Sequence, residues 1–244
     1  MRQSGALRIF TYNWPIYVGT WTFAIGSALV AQRLPSPLAL LALSASAVAI
    51  VWSFASLLIS AYVYDWSALS GGTWVSELLG KPETWATIHA GLDAEVDVDA
   101  ALGPGCVARL DIFDAELMTS PSIARARTRT PPVHAVVPCK ATALPLADAS
   151  CDAIVVAFTA HEIRDDKARE AFFSELRRAL KPEGRALVVE HLRDLPNFMA
   201  FGPGFLHFVA RTEWRRLVAL ARLDVVREAR VTPWVMALTV SRQR

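Results

Sequence analysis

Two uncharged apolar runs open the chain. No charged residue occurs in 10–32 or in 34–64. Each run exceeds the ~20 residues that a helix needs to cross a hydrocarbon core of about 30 Å. Between them, Arg33-Leu34-Pro35-Ser36-Pro37 carries two prolines, which remove backbone donors and stop a helix. The pattern predicts a transmembrane two-helix hairpin over 1–66, with Trp14, Tyr17, Trp21, Trp52, Tyr62, Tyr64 and Trp66 as aromatic belts at headgroup depth. A signal peptide has a shorter apolar stretch and no second run behind it. Core helices of a soluble protein keep a polar stripe, which neither run shows.

A linker with several glycines, 67–84, leads into 85–244, where apolar runs of strand length alternate with amphipathic stretches. That alternation predicts a doubly wound α/β sheet. Strands are expected at 85–89, 107–112, 134–139, 153–158 and 186–190, and helices at 97–102, 115–127, 166–180 and 213–222. Apolar residues at Ala168, Phe172, Phe173, Leu176 and Leu180 recur with a period near 3.6 before Lys181-Pro182-Glu183-Gly184 ends the helix. A closing β-hairpin is expected from 224–230 and 234–240 around Thr232-Pro233.

Charge sharpens this division. All 23 acidic residues lie at or after Asp65, and only Arg2, Arg8 and Arg33 are charged before it. An even number of spans puts both ends on one side. Two arginines outside the hairpin against one in its turn favour the cytoplasm for the domain. The remainder carries 22 basic and 23 acidic residues, which gives no clustered basic surface and excludes a nucleic-acid partner. The run Arg125, Arg127, Arg129 is read as a solvated helix end or as contacts to anionic lipid. Cys106, Cys139 and Cys151 form no metal or disulfide pattern and read as buried thiols.

The runs ALPLADASCDAIV (143–155) and ELRRALKPEGR (175–185) resemble the approach to the fourth strand, and the helix and turn before the fifth, of class I S-adenosylmethionine-dependent methyltransferases of type 11. The resemblance covers about 85–240. It implies a Rossmann-like sheet with S-adenosylmethionine at the carboxyl ends of its strands. In the first turn, TIHAGLDAE (87–95), only Gly91 stands where the family has its glycines; His89 takes the place of an acid, and Asp93 and Glu95 replace glycines, so the motif is degenerate. Asp111, 20 positions after Gly91, matches the acid that accepts the ribose hydroxyls. Thr142, in a turn where the family often has an acid, and Phe158, ending the fourth strand, complete the implied cofactor side with His89.

Polar residues gather at the expected strand ends. His161 and Glu162 follow the fourth strand, Glu190 and His191 follow the fifth, and His207 lies in the next segment. If they converge, two chemistries are open. A histidine oriented by a carboxylate takes a proton from a phenol, enol or amine as a methyl group is transferred, or the mixed set binds a divalent metal. No compact motif such as HExxH is present, so no metal ligand is assigned and His161, Glu162, Glu190 and His191 are read as catalytic. The stretch 193–208, with four phenylalanines around Gly202-Pro203-Gly204, is read as a lid over a lipid-like substrate or a loop packed on the hairpin. The leading expectation is a membrane-bound methyltransferase acting on a hydrophobic small molecule, with the bilayer as its other partner. A metal-assisted enzyme that does not transfer methyl, or a non-catalytic membrane adaptor, are the alternatives.

Overall fold

The computed structural model describes residues 4–91, 96–129 and 135–243. Asp93, Glu95 and His134 lie outside the described residues. The apolar runs form α1 (Gly5–Ala31) and α2 (Ser36–Ala61). With the turn that follows α2, they are long and apolar enough by length and composition to cross a membrane. Only 17% and 11% of their most apolar windows are buried, which sets them apart from the core helices of a soluble domain. Small residues face inward, Ser46, Ser53, Ser56 and Ser60 from α2 and Ala24 from α1, and let the two helices approach closely.

The aromatic residues only partly follow the expected belts. Trp66 is exposed, but Tyr17 bonds the Ser56 hydroxyl, Trp21 donates to Ser53 Oγ at 3.0 Å, and Trp52 and Tyr64 turn toward the domain. Each has a polar tip, and a partner inside the protein satisfies it. Past α2 the chain makes a π-helical turn at Tyr62–Trp66. There Asp65, the first acidic residue of the chain, accepts from the Gly5 amide at 2.7 Å and so caps the positive end of α1.

The stretch 67–84 is more than a spacer. Thr73–Leu79 forms α3, whose Trp74, Val75, Leu78 and Leu79 share one buried face. The domain's elements then follow as β1 (Trp85–His89), α4 (Val98–Leu102), β2 (Cys106–Asp111), α5 (Pro121–Arg129), β3 (Val137–Pro138), β4 (Cys151–Ala157), α6 (Asp166–Ala179), β5 (Leu180–His191), α7 (Leu195–Phe201), α8 (Arg211–Leu220), β6 (Leu223–Thr232) and β7 (Val235–Arg242). One seven-stranded sheet runs in the order β3-β2-β1-β4-β5-β7-β6. The first five strands are parallel, and β7 enters antiparallel between β5 and β6, so the expected closing hairpin is present.

Helices cover both faces, and the strands are accordingly apolar at successive positions. Ile154, Val156, Ala186 and Val188 pack with Phe172, Phe173 and Leu176 of α6 and Trp214 of α8. Ala153, Val155, Leu187 and Val189 pack with α3, α4 and Val63 from the end of the hairpin. Two boundaries depart from expectation. Helix α5 begins at Pro121 rather than at 115, because Asp114 folds 114–117 into a turn by accepting the Glu116 amide, and proline suits a first helical position. Strand β3 is only two residues long at the sheet edge, where Pro138 has no amide to donate.

Candidate functional site

The carboxyl ends of β4 and β5 bring the expected polar residues together. Glu190 ends β5 with no exposed surface. One carboxylate oxygen accepts the backbone amides of Thr159 and His161, both at 3.2 Å, and the other accepts His161 Nδ1 at 2.6 Å. Glu190 therefore holds the turn after β4 against β5 and fixes the His161 ring. It is a positioning residue behind the cavity wall rather than part of it. Phe158, in that turn, has φ of 50°, a conformation rare for a bulky side chain, and such strain persists where surrounding contacts fix it.

Burial pushes the His161 ring toward neutrality, but the charges and hydrogen bonds of Glu190 and Glu162 outweigh it and raise the pKa to about 10. His161 is thus an imidazolium between two carboxylates, which corrects the expectation of a near-neutral base there. Burial works against the Glu162 charge, yet bonds to His161 and His207 hold its carboxyl well below the usual carboxylate range. Glu162 Oε1 accepts from His207 Nε2 at 3.1 Å. Its Oε2 is buried with no hydrogen-bond partner among the described residues, the Arg164 guanidinium standing 3.9 Å away.

His191 is the opposite case. Burial lowers its pKa to about 4, so the ring is neutral. Its Nδ1 faces two acceptors, the Trp234 carbonyl at 3.0 Å and Asn197 Oδ1 at 3.1 Å, so the proton sits there and Nε2 is the acceptor. The Tyr64 hydroxyl donates to Nε2 at 2.8 Å. Sequence reasoning missed Tyr64, Asn197 and Arg164. Tyr64 lies 127 positions from its partner, and no local pattern could have signalled it.

His161, Glu162, His191 and Phe158 line one wall of a cavity of about 1060 Å³, and Tyr12, Tyr17 and Trp52 of the hairpin line the opposite wall. The stretch 193–208 closes it. Trp52 donates its indole N–H to the Met199 carbonyl at 2.8 Å and meets Phe198 edge-on. Gly202, at φ of 55°, leaves room for that indole, since a Cβ there would stand 3.3 Å from the ring. Helix α7 and the turn after it are thus packed on the hairpin and roof the cavity as well.

Three of the residues implied by the resemblance meet at the ends of β1 and β2. His89 is buried, and its Nδ1 accepts the Gly91 amide at 3.3 Å. Asp111 ends β2 beside the Phe113 ring, and Arg127 from α5 contacts both. Thr142 is exposed in the turn between Lys140 and Ala143, and Phe158 lies with His191 in the cavity. His161, Glu162 and His207 offer ligand atoms within 4.8 Å of one another, near enough to share a metal ion. The Arg164 guanidinium, 2.8 Å from His207 Nε2, brings positive charge to the same place.

Residues 99–188 match a family model described as Methyltransferase domain. No curated protein matches the chain. Solved structures share its fold: an S-adenosylmethionine-dependent methyltransferase from Aquifex aeolicus is 20% identical, with 70% of this chain and 89% of that one covered at a TM-score of 0.53. The 1,6-didemethyltoxoflavin-N1-methyltransferase of Burkholderia thailandensis, solved with S-adenosylhomocysteine, is 16% identical over 78% of this chain and 88% of its own at 0.51. The geranyl diphosphate C-methyltransferase of Streptomyces coelicolor is 15% identical over 70% and 78% at 0.51. Residues 99–188 thus match a methyltransferase domain, and the chain shares the Rossmann-like fold of S-adenosylmethionine-dependent methyltransferases.

Proposed function

We propose that this protein is a membrane-anchored methyltransferase whose acceptor is a hydrophobic small molecule bearing a hydroxyl or amine group. The observation that carries the reading is the shared cavity, with apolar and aromatic residues of the hairpin on one side and an ordered set of titratable groups on the other. An amphiphile suits such a chamber, its apolar part against α1 and α2 and its polar head at the strand ends. The buried Glu162 Oε2 calls for a hydrogen-bond donor, which the head of the acceptor supplies. The geranyl diphosphate methyltransferase of the same fold acts on a prenyl compound, which agrees with an apolar acceptor.

The cofactor side fits a nucleoside. A carboxylate closing β2 suits two ribose hydroxyls, the neighbouring Phe113 ring suits a base, and Gly91 has no Cβ to obstruct the approach. Bound there, S-adenosylmethionine supplies an electrophilic methyl on a sulfonium. The residues of this chain orient the acceptor and take its proton. Glu162 holds the head, and the proton released as the new bond forms passes by way of Tyr64 to His191 Nε2, the neutral acceptor of the site. His161 and Glu190 keep this wall rigid, and positioning supplies much of the rate in a displacement of this kind.

In this reading the hairpin anchors the domain to a bilayer, and the arginine distribution supports the cytoplasmic side for both ends of the chain. The full chain in detergent, given methyl-labelled S-adenosylmethionine and the organic-solvent extract of membranes, should move label into the organic phase. Absence of label, together with absence of S-adenosylhomocysteine binding, would refute the reading. A second reading, a metal-assisted reaction, draws on the cluster of His161, Glu162 and His207. Activity unchanged by chelators and protein free of metal would remove it. The balance of Arg164 and the His161 imidazolium against Glu162 and Glu190 already compensates the charges without a cation, so the metal reading ranks second.

A further inference from the structure

Arg127 stands where the nucleoside of the cofactor belongs. Its Nη1 and Nη2 reach the two oxygens of Asp111 at 2.9 and 2.8 Å, the paired fork that arginine makes with a carboxylate. The same guanidinium lies 4.2 Å from the centre of the Phe113 ring. Its aliphatic stem presses on Gly91, where a Cβ would stand 2.5 Å from Arg127 Cγ. The surfaces suited to ribose, base and close backbone approach are therefore all taken by one side chain of the protein itself.

We propose that Arg127 is a resident occupant of the nucleoside site, and that the cofactor binds only when α5 carries this arginine away from Asp111. The proposal rests on the cofactor reading of the same site. The geometry suits a reversible latch. Arg127 keeps 30% of its side-chain surface exposed while that of Asp111 is 8% exposed, so the pair is reached from solvent on the arginine side, where a ligand that supplies its own hydrogen bonds to Asp111 can replace it. Helix α5 is seated from its other side by the hairpin: two residues before the latch, Arg125 donates to the Tyr12 carbonyl, where α1 is kinked at Asn13 ahead of Pro15. Ile123 and Ala126 of α5 also line the acceptor cavity. One short helix thus touches acceptor chamber, hairpin and cofactor site, and its position decides whether the last is open.

A site open for only a fraction of the time has its apparent dissociation constant raised by the inverse of that fraction. Isothermal titration of the full chain in detergent with S-adenosylhomocysteine tests the latch. Arg127→Ala should bind about tenfold more tightly than the wild type if the latch is seated roughly 90% of the time. Arg127→Lys, which keeps charge and stem but loses the fork, should fall between them, and it carries the test if the alanine variant does not fold. Wild-type binding with equal or weaker affinity in the variants would overturn the latch and leave the cofactor reading intact. No binding by the wild type or by either folded variant would overturn both.

Discussion

The hydroxyl of Tyr64, in the turn that ends the hairpin, donates to Nε2 of His191 at the end of β5, 2.8 Å away. This bond joins the segment that leaves the hairpin to a neutral acceptor at the end of β5. It also ties the turn at the end of the hairpin to the candidate site. Tyr64→Phe keeps the ring contacts with Phe158 and His191 and removes only the donor. The loss should cost about 1 kcal/mol in urea unfolding. Methyl transfer should fall by roughly a hundredfold, the lower end of the range for a proton-transfer group, while S-adenosylhomocysteine affinity stays unchanged. An unchanged turnover would remove Tyr64 from the proton path.

Glu190 should matter for order more than for contact with substrate. Its carboxylate takes two backbone amides and the His161 ring with no access to water. Glu190→Gln leaves the imidazolium of His161 without its closest counter-charge. Removing one partner of a buried ion pair costs about 3–5 kcal/mol. Chemical denaturation should show that loss, and NMR titration should show the His161 pKa dropping from its raised value. A variant as stable as wild type would contradict the role.

His161 and His191 set opposite pH limits. His161 has a folded pKa raised from 6.5 to about 10, so its contribution to stability is complete below 6.5 and is lost as pH climbs toward 10. His191 is lowered from 6.5 to about 4, so its contribution is complete above 6.5 and is lost as pH falls toward 4. Thermal unfolding should therefore peak near neutral pH. His161→Gln should flatten the alkaline limb and His191→Asn the acid limb. The reverse assignment would show that the charge states are exchanged.

The roof over the cavity should loosen when Trp52 lets go. Trp52→Phe retains an aromatic ring against Phe198 but cannot donate to the Met199 carbonyl. Limited proteolysis should cut within 195–208 several times faster in this variant. Gly202→Ala should act in the same direction, since φ of 55° and the nearby indole both oppose a side chain. Cleavage at wild-type rates in both variants would separate the roof from the hairpin.

The apolar pattern of this chain indicated the two long helices and most of the sheet, but not α3 inside the expected linker nor α7 in the stretch read as a lid or loop. The two long uncharged runs read as helices, and the continuous apolar segments Ala153–Val156 and Ala186–Val189 read as strands covered on both faces, as they are. The histidines and glutamates at the strand ends were also visible, because in a parallel sheet those ends share one edge. Their protonation was beyond the sequence. His161 and His191 follow similar strands, yet one is charged and the other neutral, because two carboxylates surround the first and a carbonyl, an amide and a phenol surround the second. The same holds for Arg127, which read as part of a solvated helix end or of a contact to anionic lipid and instead covers Asp111 and Phe113. Side-chain spacing along the chain sets which element forms. Charge state and occupancy depend on what other segments bring within a few ångströms, and only the tertiary structure decided that.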